Sequence, residues 1–174
     1  MKLAILSDIH DNVWNLRAVL ERIVDTDVVL CCGDLCAPFM VARLAEGVSP
    51  RPVHVVFGNN DGDLYRITSV ASGFENVTLH GELYRGEIDG VRIVMTHYDT
   101  VAAAISPEGT DLVCYGHNHV AAIDERGGCC YLNPGAIMGY TPAGNRDIPV
   151  TFAVYDTTTR GAVLHTIGTG NRIS

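Results

Sequence analysis

Five short apolar runs in this chain each stop at the same kind of polar cluster, and that recurrence limits the possible folds most. Leu3–Leu6 precedes SDIHDN, Val28–Cys32 precedes GDLC, and Val53–Phe57 precedes GNND. Val91–Met95 precedes THYD and Leu112–Tyr115 precedes GHNH. Brief apolar runs rich in β-branched residues and closed by turn formers read as buried strands. Cys129–Leu132, Thr151–Tyr155 and Ala162–Ile167 are three more, and the polar stretch Asp156–Gly161 predicts a hairpin between the last two. Between the early strands the period changes. Val13, Leu16, Val19, Leu20, Ile23 and Val24 predict a helix over Asn12–Asp25, capped by Asp11 or Asn12. Shorter helices are expected over Pro38–Glu46, Leu64–Ser72 and Thr100–Ile105. Early β-α-β alternation followed by strands alone predicts an α/β (α+β) fold, a four-layer αββα sandwich of two mixed β-sheets with helices outside. No repeat or Pro/Gly/Ser-rich linker divides the chain, so residues 1–174 read as one domain.

Composition narrows the function. Hydrophobic residues make up 47% and charged residues 18%, which excludes a disordered chain. Twenty acidic against twelve basic residues give a net charge of −8, which argues against long duplex nucleic acid as a partner. Small anionic substrates stay open if something else supplies positive charge. The apolar runs are too short to cross a bilayer, and Leu3–Leu6 runs directly into Ser7 and Asp8 without a secretory pattern. A cytoplasmic location without membrane association is therefore expected. The six cysteines include no CxxC spacing and read as buried, reduced thiols.

The residues after the strands carry the chemistry. They are Asp8 and His10, Asp34, Asn59, His97, and His117 with His119. All seven offer the oxygen or imidazole donors that hold divalent transition metals, and none is Lys or Arg. Ligands of open α/β sheets gather beyond the carboxyl ends of the strands. Seven donors exceed one tetrahedral ion and suit two ions sharing a carboxylate. Glycines precede Asp34, Asn59 and His117, where a missing side chain permits a sharp turn and close approach of an anion. Two dications against two carboxylates leave the site positive inside an acidic chain, as a phosphate requires.

The order D-x-H, G-D, G-N, T-H, G-H-x-H resembles the signature of the calcineurin-like metallophosphoesterases. The opening MKLAILSDIHDN, the small size and the NPG at Asn133–Gly135 look most like the YfcE-type and archaeal phosphodiesterase branch. The resemblance implies a β-sandwich flanked by helices with two metals at one edge. It places Asp8, His10, Asp34 and His119 on one ion and Asp34, Asn59, His97 and His117 on the other, with Asp34 bridging. It further implies a catalytic part for Asp34, Asn59 and His97, and attack on a small phosphodiester by a metal-bridging hydroxide. Manganese is the first expectation for the two ions, with nickel, iron, cobalt or zinc as alternatives. A phosphomonoesterase, a nuclease, or a non-catalytic metal-binding scaffold like the retromer subunit is the competing reading. Relatives often associate, so a homo-oligomer is possible.

Two positions depart from the family pattern. Asn60 stands where many relatives carry a His that protonates the leaving group, so general acid help worth about 10²–10⁴-fold is missing unless Asp61, Asp99 or water supplies it. Tyr98 stands where relatives have Gly and is expected to narrow the cleft or stack on substrate. With Asn12, which could approach a phosphate oxygen, Asn60 and Tyr98 form the expected substrate contacts. Asn133 could orient a ligand histidine. His54, His80 and His165 read as structural, and Trp14 as a packing residue.

Overall fold

The computed structural model describes residues 1–169. Its first sheet has the order β13-β12-β1-β2-β3-β4. In it β1 (Lys2–Leu6), β2 (Val28–Cys31), β3 (Val53–Val55) and β4 (Val77–Leu79) run parallel, while β12 (Pro149–Asp156) and β13 (Gly161–Thr169) add an antiparallel hairpin. The second sheet has the order β5-β6-β7-β9-β8. There β6 (Val91–Thr96), β7 (Leu112–Cys114) and β9 (Cys129–Asn133) are parallel, edged by β5 (Leu83–Ile88) and β8 (Ala122–Arg126). A small ribbon, β10 (Tyr140–Thr141) with β11 (Arg146–Asp147), lies between β9 and β12 in the chain.

Strict alternation in β1 shows how the layers are built. Leu3 and Ile5 enter the core between the sheets with Leu30, Ile93, Met95, Leu112 and Tyr155. Ala4 and Leu6 face the opposite way, against Leu16, Met40, Leu44 and Ile67. Those four come from helices α1 (Val13–Leu20), α2 (Pro38–Val48) and α3 (Leu64–Ala71). On the far side, Val94, Val113 and Tyr131 pack against Ala102 of α4 (Asp99–Ala104). The mixed α/β architecture, with two mixed sheets in the middle and helices outside, is the one the sequence pattern predicts. Among the described residues, no helix is long and apolar enough to cross a membrane.

The first helix is shorter than its periodicity suggests. Beyond Leu20 the carbonyl of Ile23 is taken by the hydroxyl of Thr26 and by the guanidinium of Arg51, which closes the chain into a turn. Ile23 stays buried while Val24 is exposed. Trp14, expected to pack, is 69% exposed on the first turn of α1. Strands β4, β5 and β8 escaped the sequence pattern because they are sheet edges. Their outward faces are polar or half-exposed, so no apolar run marks them.

One buried carboxylate ties the two sheets together at the end away from the polar clusters. Asp111 accepts from the backbone N–H of Arg92 at 2.8 Å, from its Nε at 2.9 Å and from Arg160 Nη1 at 2.7 Å. Arg92 belongs to β6, whereas Arg160 sits in the β12–β13 turn. The hydrogen bonds from Arg92, with Arg160 beside it, hold the Asp111 carboxyl well below its usual range. Because the folded-state value is depressed, its stabilisation is complete above the unfolded pKa of about 3.9 and is lost as pH falls below it. Asp111→Asn is expected to lower the urea midpoint at pH 7. The gap to the parent protein should narrow steadily as both are titrated below about pH 4.

Candidate metal centre

The parallel strands of both sheets deliver their C-terminal ends to one edge, and the loops there are stitched to one another. Asp8 N–H donates to the Gly33 carbonyl at 3.1 Å, and Ile9 and His10 N–H both donate to the Asp34 carbonyl at 3.0 Å. The buried carboxylate of Asp61 then accepts three backbone N–H groups, from Gly58 at 2.8 Å, Asp34 at 3.0 Å and Cys36 at 2.8 Å. Burial pushes its pKa up despite those donors. A substitute proton donor near Asn60 was one expectation for Asp61. The structure gives it a bracing role instead, because both of its oxygens are occupied.

The seven expected donors meet at this edge. Asp8 Oδ1 lies 3.2 Å from His119 Nε2 and 3.7 Å from His10 Nε2. Asp34 Oδ2 lies 3.4 Å from His10 Nε2 and 3.3 Å from His97 Nε2. Asn59 Oδ1 is 3.1 Å from His97 Nε2 and 3.0 Å from His117 Nδ1, and those two nitrogens are 3.3 Å apart. Donor atoms of Asp8, His10 and His119 all fall within 4.8 Å of one another, as do those of Asp8, Asp34 and His97.

Three of the four histidines are held through the ring nitrogen that faces away from this cluster. His97 Nδ1 donates to the Cys32 carbonyl at 2.8 Å, and His119 Nδ1 donates to the Tyr140 carbonyl at 2.9 Å. His10 Nδ1 is 3.5 Å from Cys36 Sγ. A proton held on Nδ1 leaves the Nε2 lone pair aimed into the cluster, which is the tautomer a metal ligand needs. Oδ1 of Asp8 and Nε2 of His10 are buried and make no hydrogen bond. Orphaned polar atoms of this kind, packed among converging lone pairs, fit divalent cations. Burial opposes the charge on Asp8, but His10 and His119 outweigh it and hold the carboxyl well below its usual range. Burial likewise opposes charge on Asp34 and is outweighed by His97 and Asn60. The reciprocal effect raises His97 and His119, against burial, through Asp34 and Asp8 respectively.

The backbone is strained where these side chains project. Ten described non-glycine residues have positive φ, and seven of them stand here: Asp8, His10, Asp11, Asp34, Cys36, His117 and His119. Such conformations cost about 1–3 kcal/mol each and persist only where surrounding contacts over-determine them. Of the preceding glycines, Gly33 takes the sharp turn expected of it, with φ +95°, while Gly58 and Gly116 have another reason. A Cβ on Gly58 would collide with the Asp34 carboxylate, and one on Gly116 would collide with Ser7 and Asp8. At these two positions side chains of the site, including Asp34 and Asp8, require the gaps.

The expected substrate contacts divide. Tyr98 is half-buried beside the cluster, its ring 5.3 Å from His97 and 5.6 Å from His117. Asn60 is exposed at the cluster's rim, and its backbone N–H and its Nδ2 donate to the two oxygens of Asp34, each at 2.8 Å. Asn12 is engaged within the protein: its Oδ1 caps α1 by accepting from Asn15 N–H, and its Nδ2 donates to the Met138 carbonyl. Asn133 orients no histidine directly; it donates to the Gly116 carbonyl and the Asn118 Oδ1, holding the loop that carries His117 and His119. Asp99 accepts from Asn118 Nδ2 at 3.1 Å on the same loop. His54 and His80 pair with each other at 2.9 Å against Tyr84, and His165 stacks on Phe152. The positioning parts of Cys36 and of the Tyr140 carbonyl were not legible in the sequence. A backbone acceptor carries no residue signature.

Removal of the Asp61 side chain tests the brace. Asp61→Ala leaves three N–H donors unpaired, which is expected to cost about 3 kcal/mol or more in urea unfolding. Asp61→Asn, which keeps an acceptor oxygen, should cost clearly less.

Residues 1–160 match the family model for the calcineurin-like phosphoesterase superfamily domain. The chain is 29% identical over 145 residues to phosphodiesterase MJ0936 of Methanocaldococcus jannaschii, covering 80% of this chain and 86% of that protein. A solved structure of an archaeal phosphodiesterase superposes with a TM-score of 0.84 at 25% identity, over 96% of this chain and all (100%) of the other. Vps29 of Entamoeba histolytica, solved in complex with Zn²⁺, shares the fold at a TM-score of 0.65 and 19% identity, over 96% and 98% of the two chains.

Proposed function

The chain belongs to the calcineurin-like phosphoesterase superfamily, and from that premise we propose that it hydrolyses small phosphodiesters at a centre of two divalent ions. It is a phosphoester hydrolase; the diester preference and the two-ion arrangement are the finer reading. Asp8, His10, Asp34 and His119 would hold one ion, and Asp34, Asn59, His97 and His117 the other. The observation that carries this is the position of Asp34 Oδ2, within 3.4 Å of His10 Nε2 on one side and 3.3 Å of His97 Nε2 on the other. Asp8 also neighbours both groups, but its Oδ2 accepts from His117 N–H, and its Oδ1 pairs most closely with His119 and His10, at 3.2 and 3.7 Å. Asp34 is therefore the carboxylate read as shared. Bound divalent ions supply Lewis acidity, polarising the phosphoryl group and making water nucleophilic at neutral pH. Manganese is the first choice, with nickel, iron, cobalt or zinc also suited to these donors.

The residue at position 60 supports the preference for diesters. Asn60 has no titratable proton, and its amide is engaged with Asp34 rather than free over the cleft. Leaving groups that need protonation therefore gain no help from this position, a deficit of about 10²–10⁴-fold. Diesters with stable leaving groups tolerate that loss better than alkyl monoesters. The archaeal relatives carry the name phosphodiesterase, which supports the same choice. Tyr98, edge-on to His97, is placed to contact whatever group flanks the phosphate. The likeness to Vps29 carries the fold alone, and nothing in the donor set favours a scaffold over catalysis.

Metal-stripped protein is expected to be inactive on bis-p-nitrophenyl phosphate and to regain turnover with Mn²⁺, with p-nitrophenyl phosphate hydrolysed more slowly. Turnover that survives chelation contradicts the proposal, and bound metal without turnover of any phosphoester favours the scaffold. Asp34→Asn should lose both ions by elemental analysis; unchanged metal content removes the shared carboxylate. Asn60→His is expected to raise hydrolysis of esters with poor leaving groups relative to bis-p-nitrophenyl phosphate, by up to about 10²-fold. The backbone N–H of residue 60 still anchors Asp34 in that variant.

A further inference from the structure

A cavity of about 470 Å³ opens directly beside His119. Its walls are the loop at Asn118 and His119, Thr151 of β12, and the flap that carries Thr141 and Arg146. This volume falls in the range of small-ligand sites, well beyond what a single phosphate needs. The flap is built into the metal centre rather than hung beside it. Tyr140 O accepts from His119 Nδ1 at 2.9 Å, Met138 N–H donates to the Asp8 carbonyl at 2.8 Å, and Ile148 N–H donates to Gly139 O at 3.1 Å. The Tyr140 hydroxyl closes the flap on itself through Asn145 Oδ1 at 2.6 Å. A group bound against the flap would therefore lie beside the loop that carries His119.

The charge pattern says what that group is. Seven of the eleven described cations are committed, and of the other four, Lys2, Arg22, Arg85 and Arg146, Arg146 is the one that lines this cavity. Arg17, Arg43 and Arg66 pair with acids on their own helices or caps, Arg126 pairs with Asp124, and Arg92 and Arg160 share Asp111. Arg51 is spent on backbone carbonyls. Among the described residues, no hydrogen bond or ion pair holds the guanidinium of Arg146 or the hydroxyls of Thr141 and Thr151. Arg146, Thr141 and Thr151 therefore line a cavity that shares His119 with the metal centre. Val120 and Ile148 add apolar wall, which suits a carbon skeleton.

We propose that this cavity is the subsite for the alcohol arm of a phosphodiester bearing a second anionic group, carboxylate or phosphate, with Arg146 as its cationic contact. The proposal rests on the phosphodiesterase reading of the neighbouring centre. It makes Arg146 a specificity residue that selects among diesters.

The test uses p-nitrophenyl phosphodiesters that share the leaving group and differ in the other arm. That arm is a neutral alkyl chain of two to five carbons, or the same chain ending in a carboxylate or a phosphate. With Mn²⁺-loaded protein, a charged arm is expected to lower KM about tenfold, as for a charge-assisted hydrogen bond. Arg146→Ala should erase the difference and Arg146→Lys should keep part of it. The carboxylate and phosphate arms show which anion fits. Calorimetric binding of ethylphosphonate and of ω-carboxyalkyl phosphonates, whose P–C bonds cannot be hydrolysed, gives a second readout that needs no turnover. Equal KM and equal binding for neutral and charged arms, or a preference that survives in Arg146→Ala, overturns the subsite. Discrimination between the phosphonates that depends on Arg146, in a protein that turns over none of the esters, keeps the subsite and removes the diesterase reading.

Discussion

Parallel pairing is the constraint on which the rest of this molecule depends. Because β1, β2 and β3 run the same way, and β6 with β7 does too, every loop that leaves them leaves at the same edge. An antiparallel meander would have alternated the exits between two edges and scattered the seven donors. Parallel strands also need long crossovers, which here are the helices covering the outer face of the first sheet. The buried core and the polar edge are thus two consequences of one topology.

Holding polar groups at that edge requires compensation, and the structure supplies it locally. Two carboxylates and four imidazoles crowd together on loops with positive φ, an arrangement that costs free energy in backbone strain and desolvation. Asp61 answers part of this by gathering three backbone N–H groups from two loops. The outward nitrogens of His10, His97 and His119 answer another part by engaging Cys36, Cys32 and Tyr140. These contacts within the protein fix the donor side chains, which would reduce the reorganisation that binding an ion requires.

Negative net charge and an anionic substrate are reconciled by the same arrangement. The chain carries −8, yet its edge gathers ligands for cations and keeps Arg146 uncommitted beside them. Cations bound at that edge would supply positive charge where the anionic group of a phosphoester must sit, in a chain whose overall charge is negative. Asn60 shows the complementary economy: its amide serves to position Asp34, and the proton that a histidine would offer is absent.

The sequence by itself determined the layers and the donors. Central strands buried on both faces read as apolar runs, amphipathic helices read by their period, and donor residues at strand ends read by type and order, because each is a local consequence of side-chain chemistry. The edge strands β4, β5 and β8 were not legible, since half-exposed strands leave no such run. Tertiary structure alone decided that Asn12 also donates to the Met138 carbonyl, that Asp61 braces two loops, and that Tyr140 orients His119 through its carbonyl. It also decided that Arg146 faces a cavity. These depend on which backbone groups meet across long sequence separations, and a hydrogen bond to a carbonyl is indifferent to the side chain that carries it.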